Sequence, residues 1–175
     1  MHIRVATHRD QDNIHNVHWS AFPESEREVV AKLAINLLLE KTTPSVISLV
    51  AESEDNVVGH MAFSPVTLDS SDSKGYILAP LAVKPEYQKR RIGSQLIETG
   101  MEQLSIVDVD ILFVYGDPNY YGRFGFNADA AESYIPPYKL EYPFGWQAII
   151  LSERSIKQPL TQIACVQSLS DPALW

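Results

Sequence analysis

The segment that most constrains the fold runs from residue 111 to residue 126, where an apolar stretch is followed by turn formers, two tyrosines and glycines. Ile111 to Tyr115 has the length and character of a buried strand. Gly116-Asp117-Pro118-Asn119 is typical of a turn into a helix, and the pattern predicts a short helix from Tyr120 to Phe124 that ends at Gly125. Ligands of open α/β sheets bind beyond the carboxyl ends of strands, so this turn is a candidate binding region.

A second strand-to-helix stretch lies earlier in the chain. Leu78 to Val83 is an apolar run that stops before Pro85, and Lys84 to Arg90 is a polar turn. Apolar residues then follow helical spacing, at Ile92, Leu96, Ile97, Gly100 and Leu104. The pattern predicts a strand, a loop and a helix in that order.

The loop of this second stretch has the features of a phosphate site. A helix N-terminus offers unpaired backbone N–H groups and the positive end of the helix dipole. Lys89, Arg90 and Arg91 place three cations beside it. These features together predict that the loop binds a diphosphate.

Together the two segments resemble the GNAT superfamily of acyl-CoA-dependent N-acetyltransferases, especially its small stand-alone members. The strand followed by G-x-P-x-Y-Y-x-R-F-G-F is similar to the late conserved segment of that family. Residues 78–97 are similar to its acetyl-CoA strand, phosphate loop and helix, whose core is Q/R-x-x-G-x-G/A. The order and the spacing both match, and the resemblance covers roughly residues 3–151.

The phosphate loop departs from the family pattern at two positions. Arg91 stands where the family has its middle glycine, and Lys89 stands where glycine is frequent, whereas Gly93 keeps the small residue. Because glycine lets the backbone approach a diphosphate closely, we expect the loop to lie slightly differently. The added positive charge is expected to offset part of that loss.

The resemblance implies an α/β fold with a central mixed β-sheet flanked by helices, the GNAT-like acyl-CoA N-acyltransferase fold. It also implies direct transfer of the acetyl group from acetyl-CoA to a primary amine in a ternary complex, with no covalent enzyme intermediate and no metal. The alternative is a non-catalytic acyl-CoA-binding or regulatory module that keeps the cofactor cleft and lacks a competent acceptor site.

The resemblance further assigns roles to residues. Tyr121, four residues before Gly125, matches the general acid that protonates the CoA thiolate, and Tyr120 is the alternative in the other register. Main-chain groups of Leu81, Ala82 and Val83 are implied to pair with the pantetheine arm. The diphosphate contacts implied are Gln88, Lys89, Arg90, Arg91, Ile92, Gly93 and Ser94, with Asn119 and Phe124 near the pantetheine end.

The base that deprotonates the amine is less clear from the sequence. Three glutamates cluster between the first two helices, at Glu24, Glu26 and Glu28, but charges at a helix start are ordinarily caps or solvated surface. His60 can titrate near neutral pH, yet a lone strand histidine is more often packed or exposed than catalytic. His15 and His18 share a helical face without a nearby third metal ligand. A water chain to bulk solvent is an equally good candidate.

Composition limits the class of protein. The chain has 175 residues, of which 45% are hydrophobic, and no linker divides it, so we expect one domain over residues 1–151 with an extension over residues 152–175 packed on it. A net charge of −8 argues against nucleic-acid or membrane partners and mildly favours cationic ones such as amines. The single cysteine, Cys165, excludes an internal disulfide and is consistent with a reducing compartment.

No signal-peptide stretch opens the chain, and its apolar runs are far shorter than the roughly 20 residues that span a bilayer. We therefore expect a cytoplasmic protein. A homodimer is compatible with the family resemblance. Leu174 and Trp175 are candidates either for docking on the domain or for an oligomer contact.

Two helices are predicted after a first strand at residues 3–6. Thr7 with Asp10 is a capping box for the first helix, which buries Ile14, Val17 and Ala21. Ser25 with Glu28 is a second capping pair, and the buried stripe of the second helix is Val29, Val30, Leu33 and Leu37.

The remaining strands follow from alternation and turn residues. Residues 46–52 and 57–66 are predicted to form a hairpin across Glu54-Asp55-Asn56, followed by a strand from Tyr76 to Val83. Trp146 to Leu151 is predicted to close the sheet as its last strand. Residues 163–166 are a candidate extra edge strand.

Overall fold

The computed structural model describes residues 1–69, 72–152 and 160–175 of the chain. The helices are α1 (Gln11–Ala21), α2 (Arg27–Leu39), α3 (Ile92–Ile106), α4 (Pro118–Tyr121) and α5 (Ala128–Ala131). The strands are β1 (His2–Val5), β2 (Ile47–Ser53), β3 (Asn56–Leu68), β4 (Gly75–Val83), β5 (Ile111–Tyr115), β6 (Tyr134–Ile135), β7 (Trp146–Ile150) and β8 (Thr161–Cys165). Among the helices that are described, none combines the length and the apolar character needed to cross a bilayer.

The strands form a mixed sheet in the order β1-β2-β3-β4-β5-β7. The pairs β1–β2, β2–β3 and β5–β7 are antiparallel, and β4–β5 is parallel. β8 pairs antiparallel with the end of β3 and parallel with β6. A mostly antiparallel mixed sheet with helices confirms the predicted fold class.

By its contacts the chain divides into two compact units, and strands β3 and β4 contribute residues to both. Unit 1 contains residues 1–63 and 79–103, and unit 2 contains residues 64–78 and 104–175. The division into one domain over residues 1–151 with an extension over residues 152–175 stays a prediction, and residues 153–159 of that extension lie outside the described residues.

In unit 1, α1 and α2 pack with the β2–β3 hairpin around a small apolar core. Its buried members are Ile14, Val17, Ala34, Val50, Val57 and Ala82. Val50 and His60 are cross-strand partners, so their side chains lie on the same face of the hairpin. The turn of the hairpin places Glu54 and Asp55 at φ 50° and 61°, as a type I′ turn requires.

Charged side chains tie the start of α1 to β1 and β2. Thr7 and Asp10 form the predicted capping box, on the short 3₁₀ turn that leads into α1. Arg4 donates to Asp10 at 2.8 Å and to Glu52 at 2.5 Å. The hydrogen bond from Arg4 is the main reason that the pKa of Asp10 falls from 3.8 to about 2. This carboxylate is therefore ionised throughout the neutral and mildly acidic range.

The predicted start of the second helix is wrong. α2 begins at Arg27, and its N-cap residue is Glu26, which makes no side-chain capping bond. Ser25 lies instead in a turn closed by two backbone bonds to the Pro23 carbonyl, from Glu26 and Arg27. The buried stripe of α2 is Ala31, Leu33, Ala34 and Leu37, and Val29 is 37% exposed.

Glycines let α3 pack closely against β3 within unit 1. A Cβ built on Gly59 would lie 3.1 Å from Ile92 Cγ2 and 3.2 Å from Leu96 Cδ1. A Cβ built on Gly100 would lie 2.4 Å from Phe63 Cε2, a separation that real Cβ atoms essentially never show. The Phe63 ring would have to move to admit any side chain at residue 100.

We expect Gly100→Ala to lower the free energy of unfolding by about 1–2 kcal/mol. At separations of 2.4 and 2.6 Å, forcing a methyl group into a packed core should cost the upper part of the usual range, about 2–3 kcal/mol, and the better helix propensity of alanine returns about 1 kcal/mol. Urea denaturation measures the difference. Gly122→Ala is the matched control, because a Cβ at Gly122 meets nothing within 4 Å and its φ of −56° suits alanine. Identical unfolding midpoints for Gly100→Ala and the unmodified protein would contradict the packing argument.

Unit 2 has an aromatic core on the β5–β7 pair. Phe113 stacks on Trp146 with ring centroids 5.2 Å apart, and Tyr134 contacts Phe113 edge-on at 5.1 Å. The Trp175 ring lies 6.3 Å from Tyr115 and 6.2 Å from Trp146. The C-terminal tryptophan therefore docks within its own unit, one of the two alternatives that the sequence left open.

The prediction that residues 146–151 close the sheet is confirmed, because β7 lies at the end of the strand order beside β5, and β8 follows it in the chain. The pairing Val66↔Cys165 joins β8 to the end of β3, and Tyr134↔Thr161 joins it to β6. The candidate edge strand at residues 163–166 is thus confirmed with slightly earlier bounds. Burial raises the pKa of the Cys165 thiol on this strand to about 12, so the thiol stays protonated.

Candidate functional site

The loop between β4 and α3 is held in unit 1 by its own polar groups. The Lys84 N–H donates to the Val58 carbonyl at 2.9 Å, where the loop leaves the sheet. A 3₁₀ turn spans Pro85–Tyr87, and the Gln88 side chain donates back to the Val83 carbonyl at 3.0 Å. Gln88 therefore fixes the loop where it turns towards α3.

Two loop residues adopt a backbone conformation that favours glycine. Lys89 has φ 62° and Arg91 has φ 63°, both in the left-handed region. That region costs a residue with a Cβ roughly 1 kcal/mol or more. Arg91 stands where the family pattern has its middle glycine and Lys89 where glycine is frequent, so the strain falls where glycine would have relieved it.

The helix that follows presents its N-terminus to this loop. The Gln95 N–H donates to the Arg91 carbonyl at 3.0 Å, which opens the hydrogen-bond ladder of α3. The amides of Ile92, Gly93 and Ser94 precede that first ladder bond, and such groups attract anions. α3 is 15 residues long, so its dipole is well developed at this end.

Three cationic residues directly precede the same helix start in the chain. The Arg90 guanidinium lies 5.2 Å from the centre of the Tyr87 ring and donates to the Glu86 carbonyl at 3.0 Å. Arg91 is 3.8 Å from Glu98, with side-chain exposures of 77% and 51%, so solvent screens that pair and leaves it weak. Lys89 is exposed as well. Amide donors and three cations at one helix start fit a diphosphate.

The end of β4 offers main-chain rather than side-chain chemistry. Ala82 is buried in the core of unit 1, and Leu81 and Val83 are half-buried. β3 lies against this part of β4, since a Cβ built on Gly59 would make an ordinary van der Waals contact of 3.4 Å with the Ala82 carbonyl oxygen. A segment with buried or half-buried apolar side chains can bind a ligand through its backbone, as an added strand does.

The late conserved segment begins in unit 2 with a well-formed helix start. The Asp117 side chain accepts from the Asn119 N–H at 2.9 Å, and Pro118 occupies the first turn of α4. A 3₁₀ turn, Gly122–Phe124, continues α4, and Gly125 ends it at φ 95°. The prediction of a turn, a short helix and a glycine stop is confirmed, with the helix starting two residues earlier than expected.

The Tyr121 ring is packed on three sides. It lies so close to Gly116 that a Cβ there would be 2.5 Å from Tyr121 Cε2. Its centroid is 5.9 Å from that of Phe126 and 5.0 Å from that of Tyr120. Burial, and then the nearby Tyr120 and Asp117, raise the pKa of Tyr121 well above 10, so the phenol is protonated at neutral pH. A protonated, partly desolvated phenol can donate a proton.

The other two residues assigned in this segment lie around Tyr120. Asn119 is exposed and Phe124 is half-buried. The Phe124 ring centroid is 5.7 Å from that of Tyr120. Burial also raises the pKa of Tyr120.

Two of the candidate histidines form a buried pair in unit 1. His18 Nε2 lies 2.8 Å from His60 Nδ1, and His60 Nε2 lies 2.8 Å from Ser48 Oγ. Burial lowers the pKa of His60 to about 3 and lowers that of His18 in the same direction, so both rings are neutral at pH 7. His60 is fully enclosed, which agrees with the packed alternative for a strand histidine.

The remaining base candidates are surface groups. Glu24, Glu26 and Glu28 are exposed, and Glu24 lies 3.4 Å from Arg27. His15 stacks on Trp19 with ring centroids 5.3 Å apart. Over the described ranges, no three histidine, cysteine or acidic side chains are grouped to hold a metal ion.

Sequence reasoning missed the His18–His60 contact. Both residues were candidates individually, but 42 positions separate them and no local pattern joins them. The available signal was the helical spacing of His18 with Ile14 and Val17, which places His18 on the buried face of α1. A polar residue on such a face requires a buried partner.

Comparison with known proteins adds independent information. A family model described as Acetyltransferase (GNAT) family matches residues 11–126. A curated relative from Escherichia coli (strain K12), named Uncharacterized N-acetyltransferase YjhQ, is 35% identical over 155 residues. The match covers 87% of this chain and 83% of that relative.

Two solved structures are similar over nearly the whole chain. The GNAT family N-acetyltransferase YhbS from Escherichia coli, in complex with CoA, is 25% identical with a TM-score of 0.83, over 97% of this chain and 92% of that one. A GNAT family acetyltransferase from Brucella melitensis, in complex with acetyl-CoA, is 28% identical with a TM-score of 0.70, over 95% of this chain and 96% of that one.

Proposed function

Because this chain belongs to the GNAT acetyltransferase family, we propose that it transfers the acetyl group of acetyl-CoA directly to a primary amine within a ternary complex. The observation that carries the proposal is the basic loop ahead of α3, in which Lys89 and Arg91 adopt a left-handed backbone, the conformation that glycine favours. Similar proteins have been solved with CoA and with acetyl-CoA.

In this proposal the loop binds the diphosphate of the acyl donor. Lys89, Arg90 and Arg91 neutralise its charge, and amides from Ile92 to Ser94 donate to its oxygens. Gln88 supports the loop through its bond to the Val83 carbonyl. The main chain of Leu81, Ala82 and Val83 binds the pantetheine arm, and an amide of this strand polarises the thioester carbonyl. Asn119 and Phe124 contact the pantetheine end.

The proposed acetyl transfer needs one proton donor from the protein. The neutral amine attacks the thioester carbonyl carbon, a C–N bond forms, and the carbonyl electron pair moves to oxygen. When the C–S bond breaks, its electron pair stays on sulfur, and Tyr121 gives its phenolic proton to the departing thiolate. The proton that the amine nitrogen loses leaves through water to bulk solvent. Tyr121 regains a proton from solvent before the next cycle.

The second candidate function is a non-catalytic acyl-CoA-binding module. One observation favours it: the neutral, enclosed His60 cannot accept a proton from a substrate, and the candidate glutamates are solvated surface groups. Such a module would bind acetyl-CoA through the same loop and release no thiol.

One experiment distinguishes the two candidates. The protein is titrated with acetyl-CoA and with desulfo-CoA by calorimetry, and the acetyl-CoA complex is then offered a panel of amines with a free-thiol readout. Binding with amine-dependent thiol release supports the enzyme. Binding without release across a broad panel supports the module, and absence of binding refutes both.

We expect the charge of Arg91 to matter more for binding than its backbone strain. Arg91→Gln keeps the Cβ at a positive φ and loses the cation, so Kd for CoA should rise about threefold to tenfold, the effect of one partly screened charge contact. Arg91→Gly also loses the cation but relieves the strain, and its Kd should rise less.

Calorimetric titrations with CoA at low and high salt measure both variants, and Arg91→Lys serves as the charge-retaining control. The gap between Arg91→Gln and the unmodified protein should shrink at high salt. An Arg91→Gln protein that binds CoA as tightly as the unmodified protein at low salt would show that this cation lies away from the diphosphate.

We also propose a cellular compartment and an oligomeric state for the enzyme. The single cysteine fits a reducing cytoplasm, and a homodimer is proposed on the family resemblance alone. Sedimentation equilibrium of the full chain tests the dimer, and a monomer at micromolar concentration removes it from the proposal.

A further inference from the structure

We propose that Arg123 and Tyr120 form a clamp that positions the Tyr121 phenol for proton transfer. This inference rests on the proposed function, in which Tyr121 is the general acid. It assigns Arg123 and Tyr120 as positioning residues that act through Tyr121 and not on the substrate.

Arg123 holds Tyr120 by its backbone and by its ring. Arg123 Nε donates to the Tyr120 carbonyl at 3.1 Å. The guanidinium carbon lies 4.5 Å from the centre of the Tyr120 ring and 5.5 Å from that of Phe124. A planar guanidinium stacked on an aromatic face and bonded to the same residue restrains both groups more than either contact would alone.

Tyr120 in turn forms one wall of the space that contains Tyr121. The two rings meet edge to face, with centroids 5.0 Å apart and planes at 84°. Gly116 and Phe126 form the other walls, and Phe126 is only 3% exposed. Tyr120 is half-buried, so it is the wall that borders solvent.

The backbone of this segment needs such a restraint. α4 has four residues and continues as a three-residue 3₁₀ turn through Gly122. Helices this short gain little from their own hydrogen-bond ladder, and a Cβ at Gly122 would meet nothing within 4 Å. Side-chain contacts to Tyr120 therefore add to the Asp117 cap in holding this part of the segment in place.

The clamp also affects how water reaches the phenol. Burial is the largest cause of the raised pKa of Tyr121, followed by Tyr120 and Asp117, and Arg123 adds a positive charge beside Tyr120. Gly116 and Phe126, which pack on the other sides, contribute no charge. Removing the Tyr120 wall would admit water and lower the pKa of Tyr121 towards its ordinary value.

The test compares three variants by steady-state kinetics over a range of pH. Tyr120→Phe keeps the ring stack and should retain kcat within about threefold, whereas Tyr120→Ala should lose roughly tenfold to a hundredfold in kcat, since small misplacements of a reacting group have effects of that size. Arg123→Gln should lose about threefold to tenfold. KM for acetyl-CoA should change less than about threefold in all three.

The pH dependence separates positioning from a general loss of structure. In Tyr120→Ala, the alkaline limb of kcat should move to lower pH, and in Tyr120→Phe, which removes only the neighbouring phenol, it should move less. The same shift is measured without turnover, as an earlier phase in the ultraviolet titration of the tyrosines. If Tyr120→Ala does not fold, the fall in kcat of Arg123→Gln at a nearly unchanged KM carries the test.

Three results would overturn the inference. Unchanged kcat in both Tyr120→Ala and Arg123→Gln would remove the clamp. A Tyr120→Phe protein as inactive as Tyr121→Phe would make Tyr120 the acid instead. An unshifted tyrosine titration in Tyr120→Ala would remove the clamp even if no amine substrate is found. Failure of the unmodified protein to release thiol would count against the proposed function alone.

Discussion

Tyr121→Phe is expected to lower kcat for acetyl transfer by about a hundredfold or more, with little change in KM for acetyl-CoA. General acid catalysis contributes roughly 10²–10⁴-fold, and phenylalanine removes the proton while it keeps the ring. The contacts of the ring with Gly116 and Phe126 do not involve the hydroxyl, so the packing should survive. The loss should therefore fall on the chemical step and not on donor binding.

Steady-state kinetics with a free-thiol readout, run from neutral to alkaline pH, measures this effect. A calorimetric titration with CoA provides the control for folding and binding, and Tyr120→Phe is the matched phenol deletion one residue away. A Tyr121→Phe protein with full kcat at every pH would exclude this residue as the acid.

As pH falls, the protein should begin to lose stability at pH values well above those at which carboxylates protonate. The pKa of His60 is about 3 in the folded protein, against an ordinary value of 6.5, because burial disfavours the charged ring. Between these two values the unfolded chain binds the proton and the folded chain does not, so stability falls as pH falls. From pH 7 to pH 4, His60 alone should cost roughly 3 kcal/mol, and His18 adds a loss of the same sign.

The contribution of Asp10 lies in a lower pH window. Its pKa is lowered from 3.8 to about 2, so the stability that it adds is present above pH 3.8 and is lost as pH falls through 2. Urea unfolding at several pH values between 4 and 7 therefore isolates the histidine pair.

His60→Gln removes the titrating ring and keeps groups that can hydrogen-bond to Ser48 and His18. The variant should be less stable at pH 7 and should lose less stability on going to pH 4. His8→Gln, a substitution at an exposed histidine, is the matched control and should leave the slope unchanged. If the stability of His60→Gln depended on pH as that of the unmodified protein does, the buried histidine pair would not be the source of the loss of stability at low pH.

Elements with a strong local signal were predictable. Strand β5 has the predicted bounds, Ile111 to Tyr115, because five apolar residues end at a turn sequence. The hairpin turn was predictable to within one residue from polar residues between two apolar runs, and the stop at Gly125 was predictable because its φ of 95° favours glycine. The resemblance predicted the fold and the acetyltransferase family, which the comparisons confirm, whereas acetyl-CoA as the donor is a proposal.

Features that depend on distant contacts were not predictable. The Ser25 and Glu28 pair has the spacing of a capping box, but the turn after Pro23 takes Ser25 out of the helix. His18 contacts His60, which is 42 positions away in the sequence, and no local sequence pattern indicates that contact. The role of Tyr121 stays a prediction, because it rests on the family resemblance and on the pKa of one side chain.

The positive φ angles of Lys89 and Arg91 have a consequence for how such loops are recognised. A search pattern that requires glycine at these positions would score this chain as degenerate, although its backbone keeps the conformation that glycine favours. Such a pattern stands for a set of backbone dihedral angles that glycine adopts most readily. A loop of this kind is better identified by its backbone dihedral angles than by its residue types.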